Sequence, residues 1–175
     1  MSKFLLAGFG GQGILFSGKL LAKLGMSAGK EVSWLPSYGP EMRGGTANCS
    51  VIIDDEMIGS PLVTKPDILV AFNLPSLEKF EDKVVSGGMI FIDSSLINKQ
   101  CSRKDVKAFY IPATELASDN DLVGLANVIM IGKLIKETDL FDYDYVENIL
   151  TSSVPKSKPQ LAELNKKALS IGYSL

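Results

Sequence analysis

The chain has 175 residues, of which 46% are hydrophobic and 22% charged, and its net charge is −2. These values predict one globular domain, residues 1–175, and exclude nucleic acid as a main partner, because no basic surplus exists to neutralise phosphates. The absence of histidine excludes Ser-His-Asp and Cys-His catalysis and histidine-ligated zinc. Two unpaired cysteines cannot hold an iron–sulfur cluster alone, and they suit a reducing, cytoplasmic location.

The chain opens with a strand, a glycine turn and a helix. Residues 3–7 are an apolar run typical of a buried strand, and the glycines that follow favour a strand over a targeting leader. Over residues 12–28 the apolar residues recur at helical spacing, and Gly29 is suited to end the helix.

Two further strands are predicted at residues 31–35 and 46–53. The connection between them is too short for the crossover helix that parallel neighbours need. We therefore expect these two strands to be antiparallel.

The remainder of the first two thirds alternates strands with helices. A strand at residues 67–72 precedes a helix at 75–84 that Asn73 can cap, and strands follow at 89–92 and 108–111. This alternation predicts an α/β fold, a three-layer Rossmann-like domain with a mixed, mostly parallel sheet.

The last third is helical. Residues 122–138 are apolar on nearly every side, which indicates a buried helix in the core, the alternative being a helix that covers a partner. Helices are also predicted at residues 143–150 and 160–171. No apolar run reaches the roughly 20 residues that a membrane span needs, so we expect no membrane association.

The first candidate site is the hexapeptide at residues 8–13, GFGGQG, which matches the G-x-G-x-x-G pattern between a strand and a helix. Glycines there let backbone N–H groups approach a phosphate at the positive end of the helix. A dinucleotide site also needs an acidic residue after the second strand, where Ser33 to Pro36 offer none, so NAD is disfavoured. A phosphate ligand, a partner's backbone and a purely structural turn stay open.

The second candidate site is the loop that follows the second strand, residues 37–45, SYGPEMRGG. Arg43 is a fork of donors suited to carboxylate or phosphate, and the glycines beside it allow close approach of the backbone. The alternative is a solvated ion pair between Arg43 and Glu41.

Four other residues have simpler interpretations. Cys49 lies within a strand pattern and is interpreted as a buried small hydrophobe, whereas Cys101 is followed by Arg103 and Lys104 and could be the more reactive thiol. Asn73 fits a helix cap, and Asp93 fits the start of a turn.

In combination, GFGGQG at residues 8–13 and LPSYGPEMRGGTANC at residues 35–49 resemble the gamma subunits of 2-oxoacid:ferredoxin oxidoreductases. The resemblance continues through IGSP at 58–61, PDILV at 66–70, NLPSL at 73–77 and the Gly87-Gly88 pair leading to DSS at 93–95. The stretch around residues 34–49 looks most like the members that act on 2-oxoglutarate, with pyruvate and branched-chain members as alternatives.

The resemblance implies an assembly that decarboxylates a 2-oxoacid, forms an acyl-CoA and passes the electrons to ferredoxin. Partner subunits of the alpha, beta and delta types would hold thiamine diphosphate and iron–sulfur clusters, and this chain would bind no cofactor alone but would contact coenzyme A. By position, Arg43 and Glu41 would be the catalytic residues. The residues that would bind coenzyme A are Gly8, Gly10, Gly11, Gln12, Gly13, Tyr38, Gly39, Pro40, Gly44 and Gly45.

A different class of function fits the same loops. A free-standing nucleotide-binding or scaffold module would also use these two loops to hold a ligand or a partner. Occurrence of the chain in a complex with thiamine diphosphate and iron would decide between the two.

Overall fold

The computed structural model describes residues 1–37, 46–155 and 157–175. Within these residues the chain divides into two compact units, Met1–Pro112 and Ala113–Leu175. The described part of the first unit holds a six-stranded sheet with two α-helices, and that of the second holds four α-helices. That residues 1–175 form a single domain stays a prediction.

The sheet of the first unit is mixed. Its strands are β1 (Ser2–Phe9), β2 (Glu31–Ser37), β3 (Thr46–Asp54), β4 (Ile68–Ala71), β5 (Met89–Asp93) and β6 (Lys107–Ile111). They lie in the order β2-β3-β1-β4-β5-β6. Three neighbouring pairs are parallel, β1 with β4, β4 with β5 and β5 with β6, whereas β3 is antiparallel to β1 and β2. The predictions of a mostly parallel sheet and of an antiparallel pair at β2 and β3 are confirmed.

Helices cover both faces of this sheet. α1 (Ile14–Ser27) packs on one face, where Gly18 lies against Cys49 and Trp34. Since Cys49 is the neighbour of Leu6 in the register, the next residue of β1, Leu5, lies on the opposite face. There it shares a core with residues of α2 (Leu74–Phe80). The first unit is therefore the helix–sheet–helix arrangement that the sequence predicted.

The second unit is built on a close crossing of helices. It contains α3 (Ala113–Asp119), α4 (Ala126–Thr138), α5 (Tyr143–Ser152) and α6 (Gln160–Ser174). α4 meets α6 at Gly132 and Gly172, and a Cβ at Gly172 would collide with the carbonyl of Ile129. The apolar residues of α4, such as Val128 and Leu134, are fully buried, so the expectation that this helix belongs to the core is confirmed.

Two predicted helices are shorter than expected. The helix predicted from residue 122 begins at Ala126, because Asp121 and Gly124 have left-handed φ values of 57° and 83°. α2 ends at Phe80 and is followed by one 3₁₀ turn, Glu81–Lys83. None of the helices formed by the described residues combines the length and the apolar character needed to cross a lipid bilayer.

Candidate functional site

The first glycine loop lies at the carboxyl end of β1 and leads directly into α1. Gly11 and Gly13 have φ values of 93° and 78°, in the left-handed region that residues with a Cβ rarely adopt. The predicted context of the hexapeptide, between a strand and a helix, is confirmed, and the backbone conformation strongly favours glycine at both positions.

The side chain of Gln12 folds back onto the sheet. Its Oε1 accepts a hydrogen bond from the Phe9 N–H at 2.6 Å, and its Nε2 donates to the Phe72 carbonyl at 3.0 Å. Phe9 ends β1, and Phe72 directly follows β4. Gln12 therefore joins the ends of two neighbouring parallel strands.

The amino terminus of α1 is open to an anion. Gly13 is the N-cap, no side chain among the described residues caps the helix, and its first turn contains no acidic residue. The first N–H groups of a helix have no partner within it, and together with the helix dipole they favour negative charge. This end of α1 can therefore bind a phosphate or a carboxylate.

A cavity of about 310 Å³ opens at this point. Its volume is within the range of small-molecule sites. The glycine backbone forms one side, and the remaining lining is apolar, with Phe9 and Phe16 39% and 43% exposed. The lining residues are Phe9, Gly10, Gly11, Gly13, Ile14, Leu15, Phe16 and Ala47.

Of the residues predicted from the first loop, the structure brings Gly10, Gly11 and Gly13 to the cavity. Gly8 and Gln12 do not line it. Sequence reasoning missed Phe16, although the sequence contained a signal for it. Phe16 lies outside the apolar positions that predicted α1, which indicates a side chain that does not pack in the core. An exposed aromatic ring of this kind often marks a binding surface.

The second predicted loop lies outside the described residues from residue 38 to residue 45. This segment includes Tyr38, Gly39, Pro40, Glu41, Arg43, Gly44 and Gly45. Its flanks are described: β3 begins at Thr46, which neighbours Phe9 in the register, and Ala47 lines the cavity. The roles assigned to Glu41 and Arg43 stay predictions.

Cys49 is a structural residue. Its thiol is buried beneath α1, and burial raises its pKa to about 11. A neutral thiol is a poor nucleophile. The interpretation of Cys49 as a small buried hydrophobe is confirmed.

Cys101 differs from the expectation. Burial raises the pKa of its thiol, so the positive side chain at Arg103 does not activate it. The guanidinium of Arg103 is instead engaged by the two carboxylate oxygens of Asp105, at 2.8 and 2.6 Å, and by the carbonyls of Glu81 and Val84. Arg103 therefore holds the loop before β6 and does not activate Cys101, whereas the prediction that Cys101 is the more reactive of the two thiols stays a prediction; Cys101 is the less buried one.

Asn73 and Asp93 take the structural roles predicted for them. Asn73 Oδ1 accepts from the Ser76 N–H at 2.9 Å and caps α2, and Asp93 Oδ1 accepts from the Ser95 N–H at 3.1 Å in the turn after β5. Among the described residues no group of three or more His, Cys, Asp or Glu side chains could hold a metal ion.

The sequence was compared with family models and with known proteins. Residues 3–175 match the family model described as pyruvate ferredoxin/flavodoxin oxidoreductase. Ketoisovalerate oxidoreductase subunit VorA of Methanothermobacter thermautotrophicus is 41% identical over 95% of this chain, which spans only 35% of that protein. 2-Oxoglutarate synthase subunit KorC of Methanocaldococcus jannaschii is 37% identical over 97% of this chain and 91% of that protein.

Solved structures show the same fold. The gamma subunit of a keto/oxoacid ferredoxin oxidoreductase from Geobacter sulfurreducens superimposes with a TM-score of 0.84 at 26% identity, covering 99% of this chain and 97% of that one. A 2-oxoglutarate:ferredoxin oxidoreductase from Magnetococcus marinus gives a TM-score of 0.88 at 23% identity, over 99% of this chain and 30% of the longer one. The fold, the glycine loop and the match over residues 3–175 together show that the chain belongs to the pyruvate ferredoxin/flavodoxin oxidoreductase family.

Proposed function

We propose that the chain is the gamma-type subunit of a multi-subunit 2-oxoacid:ferredoxin oxidoreductase and that its glycine loop holds an anionic part of coenzyme A. The observation that carries this proposal is the amino terminus of α1, which no side chain of the described residues caps and which opens into a cavity of about 310 Å³ beside Gly10 and Gly11. A phosphate at the helix end would be held by backbone N–H groups.

The apolar part of the cavity suits the rest of such a ligand. Phe9 and Phe16 offer partly exposed aromatic rings next to the glycine backbone. Coenzyme A combines phosphates with an adenine ring and a long arm whose methyl and methylene groups are apolar, so it can use both surfaces. The related Magnetococcus marinus enzyme was solved with 2-oxoglutarate, coenzyme A and succinyl-CoA bound.

The proposal assigns the redox chemistry to partner subunits. With two cysteines and no histidine, this chain lacks the ligands of an iron–sulfur cluster. We therefore propose partners of the alpha, beta and delta types that hold thiamine diphosphate and the clusters and pass electrons to ferredoxin. Both cysteines are free thiols, which fits a reducing compartment and supports a cytoplasmic location.

Two oxoacids are the first candidates, and pyruvate stays the third. 2-Oxoglutarate is favoured by relatives of matching length, such as KorC at 37% identity over 91% of that protein. The branched-chain acid 2-ketoisovalerate is favoured by the higher identity of VorA, 41%. A panel of 2-oxoacids with the purified native complex, read as kcat/KM for each, decides between them.

For the second loop we propose anion recognition by Arg43, with Glu41 orienting it. The flanks of that loop support this, because β3 begins beside the end of β1, where the glycine loop starts. An arginine fork followed by two glycines is suited to a phosphate or carboxylate arriving at that edge.

The glycine loop is tested by Gly11→Asn in the reconstituted complex. A Cβ at Gly11 would meet no atom of the described residues within 4 Å, and asparagine tolerates a left-handed φ better than most residues, so the fold can accept the change. A ligand at the loop would collide with the new side chain, and KM for coenzyme A should rise about ten-fold or more.

The matched control is Gly29→Asn at the other end of α1. Gly29 also has a left-handed φ, 73°, and open space around it. Both variants should lower the melting temperature to a similar extent, but only Gly11→Asn should change KM. Equal KM values for the two variants would show that the loop is a structural turn, as in a scaffold module.

A further inference from the structure

We propose that Gln12 is the positioning residue of the glycine loop: it holds the loop in its ligand-ready shape through hydrogen bonds to the backbone of two strands and does not itself touch the ligand. This inference rests on the proposed function of the loop in binding coenzyme A. It changes the role expected of Gln12, whose place in the hexapeptide predicted a direct contact.

The first argument is that both ends of the Gln12 amide are already engaged. Oε1 accepts from the Phe9 N–H at 2.6 Å, and Nε2 donates to the Phe72 carbonyl at 3.0 Å. The side chain does not line the cavity, although its neighbours Gly11 and Gly13 do. The amide retains a second N–H and a second lone pair, but to direct them at a ligand in the cavity the side chain would have to leave its place against the sheet.

The second argument is that the Phe72 anchor is rigid. Phe72 is 1% exposed, and its own N–H donates to the Ala7 carbonyl of β1 at 2.9 Å. The next residue, Asn73, is fixed because its side chain caps α2. A hydrogen bond to the Phe72 carbonyl therefore fixes the position of the loop relative to the core of the sheet.

The third argument is that the sequence makes room for this arrangement. A Cβ at Gly8 would lie 2.6 Å from Gln12 Oε1, 2.8 Å from Ile14 Cδ1 and 2.9 Å from Phe72 Cβ. Glycine at position 8 is therefore required for the Gln12 side chain to lie against the sheet, which gives a reason for this glycine that does not involve a ligand.

The consequence is a division of roles within one hexapeptide. Gln12 engages the Phe9 N–H and, through its backbone, the Phe9 carbonyl at 3.3 Å. The turn between them, at Gly10 and Gly11, then faces the cavity at the positive end of α1. Small displacements of such donors weaken binding strongly, because charge recognition depends on geometry.

The test is Gln12→Met in the reconstituted complex, since methionine has a similar length but neither the amide donor nor the acceptor. The matched control is Gln160→Met, the same exchange at an exposed position at the start of α6. Hydrogen exchange of the peptide that covers residues 9–13 is measured without coenzyme A, and steady-state kinetics are measured with it.

We expect exchange of the loop amides in Gln12→Met to accelerate about ten-fold and KM for coenzyme A to rise about ten-fold, with kcat changed less than about two-fold. Gln160→Met should show neither effect. A raised KM with unchanged exchange would overturn the proposal and identify Gln12 as a ligand contact. Faster exchange with an unchanged KM would overturn it in favour of a purely structural role.

Failure of the proposed function would look different. In that case Gly11→Asn would leave KM for coenzyme A unchanged as well. Faster exchange in Gln12→Met would then still show that the Gln12 hydrogen bonds hold the loop in the complex without ligand. The assignment of a ligand-positioning role would be withdrawn together with the site.

Discussion

At the scale of single residues, substitution of Arg43 gives the most direct test of the second loop. A guanidinium between Met42 and two glycines can form two parallel hydrogen bonds to a phosphate or carboxylate, which a lysine cannot reproduce. We predict that Arg43→Lys fails nearly as badly as Arg43→Ala, with a loss of roughly 2 to 5 kcal/mol in transition-state stabilisation or assembly affinity.

The measurement for Arg43 is kcat/KM for the oxoacid and for coenzyme A in the reconstituted complex, with assembly followed separately by size exclusion. A solvated ion pair with Glu41 predicts the reverse pattern. Its loss costs typically under about 1 kcal/mol, and lysine would largely restore it. Near-normal values for both variants would remove Arg43 from the site.

A second residue-scale prediction concerns pH. The two hydrogen bonds from Arg103 lower the pKa of Asp105 from 3.8 to about 2. A carboxyl whose pKa is lower in the folded state stabilises the fold above its unfolded pKa, and this contribution disappears as the pH falls from 3.8 towards 2. Asp105→Asn should therefore be less stable than wild type at pH 7, and the gap should narrow as the pH falls below 3.8 and close near pH 2.

This is checked by urea unfolding of the chain at pH 7, 4 and 2.5. The quantity measured at each pH is the difference between the unfolding midpoints of wild type and Asp105→Asn. Asp55→Asn serves as a control, because Asp55 is also an exposed carboxylate, paired with a lysine, Lys30, and not with an arginine fork. A gap between wild type and Asp105→Asn that stays constant with pH would contradict the assignment.

At the scale of elements, the crossing of α4 and α6 depends on the absence of two side chains. A Cβ at Gly172 would lie 2.8 Å from the carbonyl carbon of Ile129 and closer still to its oxygen. Because these atoms belong to helical backbone, the helices must move apart, and Gly172→Ala should destabilise the fold by about 1 to 3 kcal/mol or more.

Gly59→Ala is the matched control for Gly172→Ala. A Cβ at Gly59 meets no atom within 4 Å in the part of the chain that the structure describes, and the backbone of Gly59 does not have a left-handed φ. Thermal and urea unfolding should separate the two variants clearly. If Gly172→Ala and Gly59→Ala have the same melting temperature, α4 and α6 do not cross as closely as described.

Elements whose signal is local were predictable from the sequence. The short connection between β2 and β3 was enough to predict their antiparallel pairing, and Asn73 before Pro75 was enough to predict the cap of α2. The hydrogen bonds from Arg103 to the carbonyls of Glu81 and Val84 were not predictable, because these two residues come from a different part of the chain. The inward direction of Gln12 was hidden for the same reason, since its second partner is 60 residues away.

At the scale of the whole molecule, the chain is predicted to be inert alone. It has no residues to hold a redox centre that could take electrons from a decarboxylated oxoacid, so those electrons need a partner subunit. The purified chain should contain no iron and show no visible absorbance. Reduction of a viologen dye by this chain with thiamine diphosphate, coenzyme A and a 2-oxoacid would contradict the proposal, and the native complex is the positive control.

The contact between Gly8 and Gln12 constrains how this loop can change during evolution. Glutamine at position 12 can lie against the sheet only when position 8 has no Cβ, whereas glycine at position 8 is also required by Ile14 and Phe72 and so does not demand glutamine. The dependence runs in one direction: across related sequences, glutamine at 12 should occur only with glycine at 8, while glycine at 8 should persist with other residues at 12. An inherited substitution at position 8 would therefore be expected to follow, and never to precede, the loss of the glutamine.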